Sequence, residues 1–163
     1  MRTLGLGLLA AMTMAGSAVA ATSTADLTAP IHTFLDAFDK GDIKTAASTH
    51  LPDAVIIDEV PPYIWRGPTA FADWAKDLTA NDAKLGITEE KVILGNVVRT
   101  EHDGSHAYVV MAVVYAFKDH GAPMHEPARM TYTLRKQAGE WKISGWAWTG
   151  PKPSKGEAPA PKS

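Results

Sequence analysis

Residues 56–67 read IIDEVPPYIWRG, where two adjacent carboxylates, Asp58 and Glu59, stand between a β-branched run and an aromatic pair, Tyr63 and Trp65. In an extended run Asp58 shares a face with Ile56, and Glu59 takes the other face with Ile57. If Ile56 looks into a pocket, so does Asp58, and desolvation there raises a carboxyl toward neutrality, where it serves as a general acid or base. The competing reading is a strand end at the surface, with Asp58 accepting backbone donors in the Val60-Pro61-Pro62 turn. Glu59 reads as a solvated residue or a partner for Arg66. Tyr63 and Trp65 either line a pocket mouth, as amphipathic rings do where a ligand enters, or pack the connection over the sheet.

Arg129 and Tyr132 lie on a later extended stretch whose alternate side chains face opposite sides. Tyr132 continues the face of Met130 and Leu134 and is the pocket candidate, although a slip of one residue would turn Thr131 inward instead. Arg129 would be buried only with an acid partner such as Asp58, and that pairing would depress the Asp58 pKa and remove it from catalysis. Six histidines occur, none in a helical i, i+4 pair. His102 and His106, and His120 and His125, flank successive hairpin loops, so a surface transition-metal site competes there with ordinary polar loop tips; no metal site is expected. His32 sits off the main stripe of the first helix and is held as a second polar group. Nucleophile constellations, phosphate-cradling glycine loops and dinucleotide fingerprints are not seen, and no cofactor is expected.

The elements that must position these groups follow from periodicity. Leu27, Ile31, Phe34, Leu35 and Phe38 recur at helical spacing from Asp26 to Gly41. Asp42 can cap a short second helix through about Ser48, after which Leu51-Pro52-Asp53 reads as a turn and residues 54–58 as a strand. Gly67-Pro68 puts proline at a favoured first helical position, and Phe71, Trp74, Ala75 and Leu78 line one face of a third helix. From Ile87 onward four strands are expected, roughly 88–99, 105–118, 126–137 and 140–149, broken at HDGS, KDHGAP and QAGE. In the last strand Trp146 and Trp148 share a face and Trp141, Ile143 and Ala147 take the other. Helices first and hairpin-linked strands after argue α+β.

That element order, together with DKGD after the first helix, the DAVIID strand, WRGPTAF before the third helix and the closing GEWKISGWAW, resembles the nuclear transport factor 2-like superfamily and, within it, SnoaL-like domains, over about residues 26–149. The resemblance implies a cone-shaped curved antiparallel sheet with three N-terminal helices packed over its concave face, enclosing a largely apolar pocket. In the ketosteroid isomerases of that superfamily the general base ends the first strand, a position that falls on Asp58. The donor tyrosine of their first helix falls on Phe34, and their protonated acid falls near Thr131 or Tyr132. A missing oxyanion donor costs an enolising enzyme about 3–4 kcal/mol, so ketosteroid isomerisation by that route is not expected. The implied ligand-binding set is Phe34, Tyr63, Trp65, Trp74, Tyr132, Trp146 and His32, with Asp58 as the catalytic candidate.

Residues 1–20 carry Arg2, an apolar run from Leu4 to about Met14 and Ala18-Val19-Ala20, the pattern of a cleaved signal peptide. The expected product is a secreted or periplasmic domain of residues 21–149 with a disordered Pro- and Lys-containing tail, 150–163. No later stretch approaches the roughly 18 apolar residues of a membrane span. The chain has no cysteine, so its stability rests on the core. A net charge of −2 with no basic stripe argues against nucleic acid. Three tryptophans in the last strand suggest a homodimer through the sheet. The reading is an exported protein that binds a small, mostly apolar molecule; the alternatives are a cofactor-free lyase or isomerase using Asp58 with help from Tyr132, Tyr63 or His32, and a structural homodimer module.

Overall fold

The structure, a computed structural model, describes residues 22–159. The signal peptide read over residues 1–20 lies outside them. Helix α1 (Thr24–Asp39) is followed by α2 (Ile43–Ser48), β1 (His50–Ile57), β2 (Ile64–Arg66), α3 (Ala70–Leu85), β3 (Ile87–His102), β4 (His106–Asp119), β5 (Ala122–Gln137), β6 (Glu140–Thr149) and β7 (Ser154–Lys155). The strands form one sheet in the order β2-β1-β6-β5-β4-β3, with β7 added to β5. Three helices pack against this curved open sheet, as the α+β reading expects. The sheet is antiparallel except between β1 and β6, which run parallel because the chain crosses through α3 and three hairpin-linked strands before returning beside β1.

The helices start where side chains can satisfy free N–H groups. Ser23 and Asp26 form a reciprocal capping box on α1, and Asp42 accepts from Thr45 N at 3.0 Å on α2. Leu27, Ile31, Phe34 and Leu35 are buried along one stripe of α1. Helix α3 begins at Ala70, two residues after Pro68, so the proline lies in the preceding turn rather than at the first helical position.

Three other expectations change. Leu51, Pro52 and Asp53 belong to β1, not to a turn. The ladder to β6 is interrupted between His50 and Val55, so Pro52 has no sheet hydrogen bond to lose there. In β6, Thr133 pairs with Gly145 and Leu134 with Ile143, which leaves Ser144 as an inserted residue. This bulge inverts the side-chain phase, so Trp141, Ile143 and Trp146 all reach the core and Trp148 packs against it. A Cβ on Gly145 would sit 2.8 Å from the Val55 carbonyl oxygen, and only glycine permits that approach. The tryptophans that suggested a sheet-to-sheet homodimer therefore face inward. Finally, within the segment read as a disordered tail, residues 154–156 turn back on the sheet: Ser154 and Lys155 pair with His125 and Met124, and Gly156 N donates to Pro123 O at 2.9 Å.

Candidate functional site

Between α1, α3 and the concave sheet lies a cavity of about 660 Å³. Its apolar wall is made by Phe34 and Phe38 of α1, Trp74 and Leu78 of α3, Val92 of β3, Phe117 of β4, Met130 of β5, and Trp146 and Trp148 of β6. Trp74 meets Trp146 edge to face, with ring centroids 5.0 Å apart, and tilts against Phe38 at 4.9 Å. These contacts fix the ring orientations and add to the burial energy.

Asp58 lies on this wall, in the turn that leaves β1. Ile56, two residues back, is fully buried on the same side. Trp74 Nε1 donates to Asp58 Oδ2 at 2.8 Å, and the Glu59 backbone N–H donates to Oδ1 at 2.8 Å. Burial raises the Asp58 carboxyl above the ordinary range, and those two donors offset part of the rise. Arg129 is exposed, on the face away from the helices, so the ion pair that would have removed Asp58 from proton chemistry is not formed.

Two further carboxyl pairs accompany Asp58. Asp82 of α3 is only 5% exposed, and burial followed by the charge of Glu90 pushes it up to about 7. Tyr115 of β4 donates its hydroxyl to Glu90 Oε2 at 2.9 Å, and burial raises its own pKa. On the other side Glu126 of β5 is fully buried and accepts from Trp148 Nε1 at 2.8 Å. Glu59 is exposed as a residue, yet its carboxyl turns against Glu126; burial of that end and the Glu126 charge push Glu59 up to about 7. Gly150 covers Glu126 so closely that a Cβ there would collide with Oε1.

His50, at the start of β1, is buried under Phe34 and Phe71, each with its centroid 4.8 Å away. Its Nε2 accepts from Trp146 Nε1 at 3.1 Å and its Nδ1 lies 3.1 Å from the Ala46 carbonyl, which assigns the neutral Nδ1–H form. Burial holds its pKa down at about 4. It braces Trp146 rather than lining the cavity.

Of the catalytic and ligand-binding candidates named from the sequence, Asp58, Phe34, Trp74 and Trp146 line the cavity. The others stand elsewhere. Tyr132 is fully buried in the core, its hydroxyl directed at Met130 Sδ at 3.0 Å. Trp65 is buried behind α3 and donates to Asp77 Oδ2 at 2.9 Å. Tyr63 is 58% exposed, and His32 lies on the outer side of α1. The hairpin histidines do not converge: His106 faces Asp103, His120 faces Asp119, and His125 Nδ1 lies 3.1 Å from Gly156 O. Among the described residues no group of three or more His, Cys, Asp or Glu side chains is set to hold a metal ion.

Sequence reasoning missed Glu126, Asp82, Glu90 and Tyr115 and read Glu59 as a solvated residue or a partner for Arg66. Two carried a usable signal: Asp82 continues the helical stripe of Trp74 and Leu78, and Glu126 falls in phase with Ala128, Met130 and Tyr132 on the inner face of β5. Glu90 carried none, because the β3–β4 register shifts between Thr88 and Lys91.

The raised acids make stability depend on pH in a defined direction. Between the unfolded carboxyl values and about pH 7 the folded chain holds protons on Asp82 and Glu59 that the unfolded chain has released, so their stabilisation is complete at low pH and is lost as pH rises through about 7. His50 works in the opposite sense: its contribution is present above its unfolded value of about 6.5 and is lost as pH falls toward its folded value. The two trends oppose each other below about pH 6.5 and separate above it. Calorimetry should show the melting temperature falling from about pH 6.5 to 8, and Asp82→Asn should flatten that fall.

The SnoaL-like domain family model matches residues 27–147. No curated protein matches the chain by sequence. Among solved structures, hexachlorocyclohexane dehydrochlorinase LinA-type3 from Novosphingobium barchaimii superposes with a TM-score of 0.69 at 16% identity, over 84% of this chain and 94% of that one. A ketosteroid isomerase-like protein from Erwinia carotovora gives a TM-score of 0.59 at 20% identity, over 77% and 94% of the two chains. A cystatin-like-fold protein of unknown function from Nostoc punctiforme gives 0.59 at 13% identity, over 78% and 90%. These likenesses show the shared fold. With its family match running through all three helices and into β6, the chain belongs to the SnoaL-like domain family.

Proposed function

We propose that the cavity binds a small, mostly apolar molecule and that Asp58 exchanges a proton with it, in a cofactor-independent elimination or isomerisation. The observation that carries this reading is Asp58 itself, a desolvated carboxyl on an aromatic wall, held by two N–H donors and, among the described residues, in no ion pair. A base so placed is oriented by Trp74 and has a pKa moved toward the operating pH, the condition for efficient general acid–base catalysis. Dehydrochlorination and isomerisation, the activities in two neighbours' names, both require removal of a proton from carbon. Asp58 would take that proton as the C–H electron pair forms a new double bond, either expelling a leaving group with its bonding pair from the neighbouring carbon, after which the proton passes to water, or pushing a carbonyl π pair onto its oxygen, after which the pair returns and the proton is delivered to a different carbon. Asp82, whose pKa burial and Glu90 push up to about 7, holds its proton up to near neutral pH and is suited there to donate a hydrogen bond to negative charge that develops on the substrate.

The experiment is carbon-bound hydrogen exchange. Cyclic ketones with exchangeable α-hydrogens, incubated with the protein in deuterium oxide and followed by proton NMR, are expected to lose their α-signals faster than in buffer. Ketones that bind without accelerated exchange would leave the cavity as a binding site and remove the catalytic part. Export and removal of residues 1–20 are proposed as well, on the sequence pattern; intact mass of the secreted or periplasmic product beginning at Ala21 would support it, and recovery of the uncut chain in the cytosol would refute it.

A further inference from the structure

The direction of the Asp58 carboxyl is set by two donors, the Glu59 backbone N–H and the Trp74 indole N–H, each at 2.8 Å. The first is fixed by the chain, so the second depends on how the Trp74 ring is held. Trp74 is 4% exposed and stands among four aromatic neighbours, Phe34, Phe38, Phe71 and Trp146, with ring centroids 6.2, 4.9, 5.5 and 5.0 Å away. Three of those four rest on His50. Its imidazole meets Phe34 and Phe71, each at 4.8 Å, and its Nε2 takes the Trp146 indole N–H at 3.1 Å.

His50 is itself fixed. Its Nδ1 lies 3.1 Å from the Ala46 carbonyl of α2, its backbone pairs with Ile143 of β6, and the preceding Thr49 O accepts from Ile143 N at 2.8 Å. With Nδ1–H given to a carbonyl, the ring presents a bare Nε2, the state in which it can accept from an indole, a group that only donates. An apolar residue of similar size would fill the space but leave the Trp146 N–H without an acceptor in the core, and the indole would turn toward another.

On the proposed reading of Asp58 as the proton-exchanging group, we infer that His50 is a positioning residue for it, fixing the Trp74 indole, and through it the Asp58 carboxyl, by locking Trp146 and seating Phe34 and Phe71. The path from His50 runs through the hydrogen bond to Trp146, the edge-to-face contact of Trp146 with Trp74 at 86°, and the Trp74 bond to Asp58. An edge-to-face pair keeps its geometry only while both ring planes are held. A shift of about 1 Å at a catalytic group can cost on the order of 10²-fold in rate.

The test follows Asp58 and Trp74 rather than stability. In His50→Leu the Trp74 bond to Asp58 should weaken. Because that bond holds the Asp58 carboxyl down against burial, the Asp58 midpoint, read by carbon-detected NMR, should rise by about half a pH unit or more, and the Trp74 indole proton signal should move with it. Glu59, the charged neighbour that also acts on Asp58, is left in place. His50→Gln, whose side-chain carbonyl can accept from Trp146, should return both signals toward wild type. Exchange of cyclic-ketone α-hydrogens should fall about tenfold or more in His50→Leu and recover in His50→Gln, with ketone binding little changed. A folded His50→Leu with both signals unchanged would overturn the inference, as would His50→Gln displaced as far as His50→Leu. Nitrogen-15 spectra of the wild-type ring need no variant: Nδ1–H and a bare Nε2 are expected, and a proton on Nε2 at neutral pH would overturn the inference even if neither variant folds. If the Asp58 and Trp74 signals move as stated while wild type accelerates no exchange, the positioning of Asp58 stands and the catalytic reading of the cavity fails.

Discussion

Asp58→Asn is expected to leave the fold in place and lower turnover of a cavity substrate by about 10²–10⁴-fold, the span that a positioned general acid or base contributes. The amide has the shape of the carboxyl and can still accept the Glu59 N–H at the Oδ1 position, so β1 and its turn should hold, while its NH2 then faces the Trp74 Nε1–H and leaves that donor unpaired, at a cost of about 1–3 kcal/mol in stability. It cannot take up a proton at neutral pH. The loss should appear in kcat with KM nearly unchanged, because the apolar wall that binds the substrate is not altered. Asp58→Glu keeps the chemistry but shifts the carboxyl away from Trp74 Nε1, and should fall between wild type and Asp58→Asn. The test is a pair of Michaelis curves beside matching circular dichroism spectra; a kcat for Asp58→Asn equal to wild type would remove Asp58 from the reaction.

Trp146→Ala should be the most damaging single truncation in the cavity wall. Trp146 is 4% exposed, packs against Phe34 and Trp74, and donates to His50. Deleting a buried tryptophan side chain costs about 3–5 kcal/mol through lost transfer energy and the void left behind. It also leaves His50 Nε2 without its donor, and an orphaned buried acceptor adds about 1–3 kcal/mol. Trp146→Phe keeps most of the ring packing and should show mainly the second loss. Urea unfolding of the two variants separates the contributions; equal losses would mean that the indole N–H bond to His50, rather than ring volume, dominates at this position.

The architecture was legible because the strongest signals were long and periodic. The stripes of α1 and α3 and the hairpin breaks at HDGS and QAGE report local geometry that tertiary contacts do not override, and the family resemblance rested on the same elements. The losses came from single inserted residues. Ser144 inverts the face of Trp146 relative to Trp141, and such a bulge has no reliable mark in sequence beyond the Ser-Gly pair. Pro52 looked like a terminator because its missing N–H breaks a ladder, but the ladder is already interrupted there.

The site was legible in its apolar half and opaque in its acidic half. Asp58 could be placed because it follows Ile56 by two residues, and the aromatic rings because large apolar side chains seek the interior. Asp82 and Glu126 were passed over although their phase points inward, since acids are rarely buried without a partner and sequence does not display partners that are themselves acids. Each acid leans on another from a different element: Asp82 of α3 on Glu90 of β3, and Glu126 of β5 on Glu59 of the turn after β1. Pairs of that kind emerge only when the sheet register is known. The turn of residues 150–156 back onto β5 was equally invisible, because its composition is that of a solvated end and its order comes from two paired residues and the cover it gives Glu126.

The central claim is that Asp58 is a desolvated acid facing an apolar cavity, and its titration tests that most directly. Carbon-detected NMR of the Asp58 side-chain carboxyl, followed across pH in the folded protein, is predicted to give a midpoint clearly above the ordinary aspartate value of about 3.9. Trp74 Nε1–H, which donates to the same carboxyl, should shift with the same midpoint. A midpoint at or below the ordinary value would mean a solvated or cation-paired carboxylate, and would contradict the account.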